Sequence, residues 1–424
     1  MTQLIGVRAF LGMALCAASP GYANVFDTYG LGASTVAIGN ATTAGGPTAY
    51  AAYSNPALLV QSNRSEIASE ALLTQFKLQD LPAGEAGRLP RDPEQESKAD
   101  NLQGVSLGLN LKLTDDLHFG LATYMPQGSF GRIKGLSPYE ATYLRYSEQQ
   151  QKPAAYTALA IKGPWNLAFG AGAYYSLKAR GLLQVSLDSK EAEGRLEFIM
   201  EPVVVPYFGV TWSAGAWVIG GLYREAQETE SSIESSFAFS TESAMVPFDA
   251  STSLVPFYDP ALTRLGFAWT GDRLRVMGSL EQASWSRYKA PVVTITGADV
   301  AALSVENRAG NANLRDTYAM RLGLSAPLAF AQNRVELRAG LEAHTSANRD
   351  NSPSYVVDQD RRTLALGAAY RFASDTEGRQ LTLDAAIQTS QLASIDVQTP
   401  KGLPIALDGS STIQTLVGGL HYAM

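Results

Sequence analysis

Of the 424 residues only one is cysteine, Cys16, and it lies within the first 23, so nothing beyond them can form a disulfide, a thiol nucleophile or a Cys-based metal site. Histidine is nearly as scarce. His118, His344 and His421 are the only three, and none stands in a G-x-S-x-G or H-E-x-x-H setting, so the motifs of a serine hydrolase and of a zinc protease are missing. Basic excess is missing too: 33 Lys+Arg against 40 Asp+Glu give a net charge of −7, which offers no field for nucleic acid. The Gly-rich pieces lack a phosphate-loop pattern, and no run reaches the roughly 18 apolar residues of a membrane-spanning helix. These absences leave no catalytic residue, no metal, no cofactor and no nucleic-acid partner to assign, and the chain reads as something other than an enzyme.

What is present begins with an export signal over residues 1–23: Arg8, an apolar core from Ala9 to Ala18, and a small-x-small site at Gly21-Tyr22-Ala23. Leu15 is bulky where lipoprotein processing wants a small residue before Cys16, which argues against a lipid anchor. Residues 24–60 follow, rich in Gly, Ala and Thr, with Asp27 as their only charge. They have neither a sustained helical nor a two-residue period. Such a compact, nearly neutral segment suits the inside of a barrel as a hatch, although a flexible leader before a soluble domain has the same composition.

From about residue 65 the chain alternates. Val105, Leu107, Leu109, Leu111 and Leu113 fall on one side of a strand, Ser106, Gly108, Asn110 and Lys112 on the other. A soluble sandwich could put the polar side in water. Link lengths favour a membrane barrel instead. Strands are expected near 65–76, 102–113, 116–126, 153–163, 165–187, 201–213, 215–239, 256–270, 272–289, 313–326, 332–345, 358–372, 379–391 and 411–423. Between them long and short connections alternate without exception, the pattern of an outer-membrane barrel with both termini in the periplasm. The expected fold is all-β: a transmembrane antiparallel β-barrel of about 14 strands, residues 61–424, with the hatch in its lumen. Tyr124, Trp269, Trp285, Tyr370, Phe372 and Tyr422 near strand ends fit interfacial girdles.

Short matches in common order run through most of the chain after residue 23: Gly30-Leu31-Gly32, Ser54-Asn55-Pro56-Ala57-Leu58, the stretch 115–128 (DDLHFGLATYMPQG), Phe169-Gly170-Ala171-Gly172, Ala283-Ser284-Trp285-Ser286-Arg287-Tyr288, Leu314-Arg315-Asp316-Thr317-Tyr318, Val357-Asp358-Gln359-Asp360-Arg361 and Leu420-His421-Tyr422-Ala423. With these residues the chain resembles the FadL/TodX-type outer-membrane transporters of long-chain fatty acids and other hydrophobic compounds. The resemblance implies passive uptake and sideways release into the bilayer of a Gram-negative outer membrane. Asn55, Pro56 and Ala57 match the hatch segment beside the lateral opening, and 116–128, with Gly128, matches the kinked third strand. Partners implied are the hydrophobic ligand, outer-membrane lipid and lipopolysaccharide, and the barrel assembly machinery. Two departures stand out: Met424 ends the chain where the family usually has Phe, and Thr43-Ala44-Gly45-Gly46 replaces an acidic pair of the family's hatch.

A sixteen-carbon tail gains on the order of 12 kcal/mol on leaving water, at about 0.8 kcal/mol per methylene, so a graded series of apolar sites ending at a gap onto lipid would both capture and release it. Tyr124, Pro126 and Gly128 are the candidates for that gap, since a proline cannot donate to the ladder and a glycine permits a bend. Pro126 equally suits the end of a strand at the rim. Val25 and Phe26 fit a lumenal ligand site or a frayed terminus. Lys178 and Arg180, on the polar face of the fifth strand with Tyr174 and Ser176, could meet a ligand carboxylate or pair with lumenal acids. Arg321, Glu336, Arg338, Glu342 and Arg371 read as a lumenal ion network. The rivals are a hatch-blocked, porin-like barrel, which would not take up oleate, and a lipid hydrolase, which would release fatty acid from phospholipid.

Overall fold

The alternating segments form strands that close on themselves. The structure, a computed structural model, describes residues 25–81, 101–127, 142–146, 153–187, 192–240, 245–288, 294–296, 313–328, 334–350, 352–354, 356–399 and 402–424. The expected leader and Gly128 lie outside these residues. Fourteen antiparallel strands make the wall: β1 (Glu66–Lys77), β2 (Leu102–Lys112), β3 (Leu117–Pro126), β4 (Ala154–Lys162), β5 (Leu167–Leu187), β6 (Ala192–Ala214), β7 (Trp217–Arg224), β8 (Leu262–Thr270), β9 (Arg275–Ala283), β10 (Thr317–Pro327), β11 (Val335–His344), β12 (Arg361–Arg371), β13 (Gln380–Leu392) and β14 (Thr412–Ala423). Each pairs with the next, and β14 pairs with β1 from Lys77↔Thr412 to Glu66↔Ala423, which leaves the ring no edge.

Period-two chemistry decides which side faces what. On β10 Ala319 and Arg321 are buried, while Tyr318, Met320, Leu322 and Leu324 lie on the outside, the methionine 63% exposed. The same division holds on β12, where Leu364 and Leu366 face out and Arg361, Thr363 and Ala365 face in. A large apolar side chain is exposed at low cost only against hydrocarbon, so this outward apolar face is the one that meets the membrane. At one end the links are tight. Ala214 and Trp217 are joined by two residues, and Gly215 takes φ +58°, a conformation that favours glycine.

Three expectations need correction. The strand expected at 215–239 is two elements: the wall strand ends at Arg224, and Gln227–Ser240 leaves to form a hairpin with Met245–Asp259. The strand expected at 256–270 accordingly starts, as wall, at Leu262. Ser232–Phe239 of the hairpin pairs in parallel with Arg180–Leu187, on the β5 edge that β4 occupies lower down, so one arm rides on a wall strand beyond the ring and the other pairs with that arm. Tyr124 and Trp285 are not girdle residues but are buried, at 2% and 6% exposure. Exposed aromatics at the tight-turn end are Trp165, Trp212, Trp217, Tyr370 and Phe372.

Inside the ring lie α1 (Val25–Tyr29), α2 (Ala33–Ala37), α3 (Ala51–Ser54) and a 3-10 turn, Pro56–Gln61. Gly30 and Gly32 break the chain between α1 and α2 at φ +86° and +87°. The first helical N–H of α2, on Ala33, donates to Glu70 of β1, so the wall caps the plug.

Candidate functional site

The plug is seated on glycine. Lumen-facing glycines on β2, β3, β5, β6, β7, β8, β10, β11 and β12 each place bare backbone where a Cβ would meet a plug atom in 3.0 Å or less. A Cβ on Gly340 would stand 2.0 Å from the Gly39 amide nitrogen, and one on Gly323 would stand 2.7 Å from the Ile38 carbonyl oxygen. The Asn55-Pro56-Ala57 segment rests on Gly170 and Gly209, where a Cβ would lie 2.5 Å from the Ala57 nitrogen and 2.0 Å from Asn55 Oδ1. Asn55 is fully buried and knits this contact. Its Oδ1 accepts from the Ala57 N–H at 3.1 Å, capping the 3-10 turn, and its Nδ2 donates to Thr43 O at 2.7 Å within the plug and to the wall carbonyls of Gly221 and Val210 at 3.3 and 3.4 Å. Over the same stretch the lipid side of the wall carries an apolar hollow of 720 Å³, lined by Leu159, Ile161, Phe169, Phe208, Val210 and Leu265 with the backbone of Gly170 and Gly209 as floor.

The other half of the wall is charged inside. A ladder of buried pairs crosses five adjacent strands: Arg264 with Glu281 at 2.5 Å, Glu281 with Arg321 at 2.9 Å, Arg321 with Glu342 at 3.0 Å, and Glu342 with Arg361 at 2.5 Å. Asp27 of α1 closes its near end, 2.5 Å from Arg224 and 3.0 Å from Arg264, and the Tyr53 hydroxyl donates to Asp27 at 2.8 Å. Of the expected lumenal network, Arg321 and Glu342 belong to this ladder. Glu336, Arg338 and Arg371 form a second group with Asp384. Burial by itself would raise the Asp27 carboxyl, but Arg224 and Arg264 together outweigh it and hold the group below its ordinary value. A depressed carboxyl contributes at every pH above its free value of about 3.9 and fades only as pH falls through the lowered one. Hydrogen-exchange protection of residues 27–31, corrected for intrinsic rate, is therefore expected to be equal at pH 7 and pH 5; loss of protection by pH 5 would refute this anchor.

Around Arg224 gather tyrosines. Tyr156 stacks on Tyr174 at 4.5 Å and meets Tyr53 and Tyr207 edge-on at 5.3 and 5.7 Å. On the far side a short strap, residues 142–146, crosses to the β11–β12 link: Thr142–Tyr143 pairs in parallel with Val356–Val357, and Arg145 lies 3.4 Å from Asp358 and 2.7 Å from His344 Nε2. The Tyr29 hydroxyl donates to Arg145 O at 3.1 Å, tying the strap to the plug.

The sequence-derived candidates fall in four places. Asn55, Pro56 and Ala57 sit together on β5 and β6. Tyr124 and Pro126 are buried at the C-terminal end of β3, which stays in register with β2 through Gly104↔Pro126, whereas its pairing with β4 stops at Tyr124↔Ala154. Val25 and Phe26 begin α1, and Lys178 and Arg180 lie on β5 opposite Glu201 and Ile199 of β6. His118 is buried in the lumen, its Nδ1 2.9 Å from Asn110 Oδ1. Asp27, Arg224 and Arg264 were not singled out. A lone charge in an otherwise neutral plug was the signal that could have found Asp27; its arginines carry no local mark.

The fold matches solved outer-membrane proteins. A Pseudomonas aeruginosa FadL homologue superposes with a TM-score of 0.58 at 15% identity, over 96% of this chain and 98% of that one, and the P. putida toluene transporter TodX with 0.53 at 16%, over 93% and 98%. Alkane uptake protein A of Marinobacter nauticus is 22% identical over 400 residues, 88% of this chain and 83% of that protein. Residues 243–423 match the family model described as outer membrane protein transport protein (OMPP1/FadL/TodX). The chain is thus similar to the FadL/TodX proteins, in sequence over residues 243–423 and in fold over nearly its whole length. The matched family is described by transport and by the outer membrane, and that similarity supports an outer-membrane place for this barrel.

Proposed function

We propose that this barrel takes up long-chain fatty acids or other hydrophobic compounds passively and releases them sideways into the bilayer. The observation that carries the reading is the plug seated on wall glycines: a lumen filled by a fitted segment suits solutes that move between apolar sites, not ions moving in water. The relative named for alkane uptake and the structural neighbour named as a toluene transporter support a broad hydrophobic ligand class. In this reading residues 24–60 act as the hatch, Val25 and Phe26 line the ligand path, and Lys178 and Arg180 stand near its outer end. Both termini lie in the periplasm, the leader is removed on export, and the assembly machinery and lipopolysaccharide are the barrel's partners in the outer membrane. Cells with and without the protein, fed labelled oleate and labelled hexadecane, test it; uptake equal in both strains for both compounds sinks it. A porin-like barrel would instead admit small sugars.

The lateral gate is placed at Asn55, Pro56, Ala57, Tyr124, Pro126 and Gly128. Support comes from β3, whose edge toward β4 carries no ladder beyond Tyr124 among the described residues. Replacing Pro126 and Gly128 by Val is expected to slow oleate uptake about tenfold by letting the ladder zip further, since proline withholds a donor there. Normal uptake by the folded double variant would move the gate elsewhere.

A further inference from the structure

We propose that the apolar hollow on the lipid face of β3 to β8 seats one acyl chain of a lipopolysaccharide molecule, with Arg287 as the partner of a phosphate on its headgroup. The inference rests on the outer-membrane placement proposed above, with the tight turns in the periplasm, and not on what the barrel transports.

The strand registers make the hollow a furrow between two rows of outward side chains. Ala171, Phe208, Tyr223 and Thr263 stand side by side across β5 to β8 in one row, and Phe169, Val210, Gly221 and Leu265 in the other. The row between them points into the lumen, so the floor is backbone, bare at Gly170 and Gly209. Gly221 deepens the furrow: it takes an outward place between the exposed Ile219 and Tyr223 and carries no side chain. Lipid tails are as apolar as the wall, so a chain is held here by packing, and a furrow touches it on several sides where a flat wall touches it on one.

Length and slope fit a single chain. The furrow runs from Leu117 on β3 to Leu265 on β8, five inter-strand steps or about 24 Å. Membrane strands tilt by about 45°, so a furrow across them climbs about 17 Å, close to one leaflet of a roughly 30 Å core. Its low end is at Leu117, the first residue of β3, and Ile161, the last but one of β4, both beside tight links. At its high end Tyr223 and Thr263 each lie one residue inside the far ends of β7 and β8. A chain entering there belongs to the leaflet remote from the tight turns, which in an outer membrane is the lipopolysaccharide leaflet.

At that end the surface turns polar. The Tyr223 hydroxyl donates to Glu225 at 2.7 Å, and Arg287, exposed on the 3-10 turn Trp285–Arg287 after β9, is close enough for its charge to act on both. Glu225 has its two oxygens engaged, one by Tyr223 and the other by the Ala226 N–H at 3.2 Å, which leaves the guanidinium for a phosphate. A phosphorylated headgroup meets a cation at the level where its own chain leaves the furrow.

Full-length protein purified in mild detergent is mixed with deep-rough lipopolysaccharide or with phosphatidylethanolamine and weighed by native mass spectrometry. One lipopolysaccharide per barrel is expected to survive detergent exchange, at about ten times the retention of phosphatidylethanolamine, the order of one charge-assisted hydrogen bond. A Cβ on Gly221 would meet Val210 and Leu265 at 3.6 and 3.7 Å, ordinary contacts, so Gly221→Leu fills the furrow without straining the wall. It is expected to cut retained lipopolysaccharide about tenfold, since a chain lifted off the floor loses on the order of ten atom contacts. Ala171→Leu should do the same from the other row, and Arg287→Ala should lower lipopolysaccharide to the phosphatidylethanolamine level. Undiminished retention by both leucine variants, in barrels of normal heat-modifiable mobility, overturns the proposal. So does equal retention of the two lipids by the unaltered protein, and so does a barrel dimer that either leucine variant dissolves, which would make a second copy the occupant. Absent oleate uptake by cells would remove the transport reading and leave this seat standing, whereas recovery of the barrel with inner membranes would remove the seat.

Discussion

Gly340→Val is expected to make a sealed barrel leak. Valine is a good strand former, so β11 and the wall should assemble. Its side chain, however, points at Ile38-Gly39, where even a Cβ would lie 2.0 Å from the Gly39 nitrogen and 2.2 Å from the Ile38 carbonyl carbon. Both obstacles are backbone and cannot swing aside. Gly39 is itself at φ +62° with its own Cα side against the Leu341 backbone, so plug and wall meet here backbone to backbone. Overpacking of this kind costs about 3 kcal/mol. It falls on the contact between plug and wall, not on the wall's own ladder. The seat should open, and steady ion conductance should appear in planar bilayers, with raised sensitivity of expressing cells to large polar antibiotics. An unchanged, non-conducting barrel with full exchange protection of residues 33–54 would show that the plug is held by something other than this fit.

The second large effect is on the ladder. Arg321 is 1% exposed and stands between Glu281 and Glu342. Arg321→Met leaves two buried carboxylates, on the strands to either side of it, with one arginine each, Arg264 and Arg361. Removing one partner of a buried pair costs about 3–5 kcal/mol, and the lower end is expected because neither glutamate becomes wholly unpaired. The temperature at which the folded band is lost in heat-modifiable electrophoresis should fall clearly. Arg371→Met, at a site 33% exposed and paired with Glu336, is the comparison and should cost less than about 1 kcal/mol. Equal shifts in the two variants would mean that the ladder adds no more than a surface contact.

The wall was legible because lipid and lumen impose opposite chemistry on consecutive residues: Met320, Leu322 and Leu324 against Ala319, Arg321 and Gly323 can be sorted without coordinates. The pattern says when the chain is extended and not what it pairs with. For that reason the end of β7 at Arg224 was missed: Gln227–Ser240 is also a strand, but of the hairpin. Tyr124 and Trp285 were misplaced because an aromatic near a strand end fits either side of the wall: parity puts Tyr124 inside, while Trp285 lies past the end of β9 on a 3-10 turn, where strand parity no longer applies. The Asn55-Pro56-Ala57 motif was visible, but its footing was not. Gly170 and Gly209 are 39 residues apart in sequence and become neighbours only through the β5–β6 register. Asp27 was noted only as the plug's one charge, and Arg224 and Arg264 drew no reading, because only the fold brings the hatch carboxylate between them.

The glycine seat has a consequence for descent. A cork cut to the bare patches of one cylinder will not fit another whose patches lie a residue higher, so stopper and sleeve must drift together through generations. Transplanting this chain's first sixty-odd residues into a cousin's barrel should therefore fail unless the matching bare positions travel with them, even though the two pieces share no covalent bond beyond the peptide that joins them.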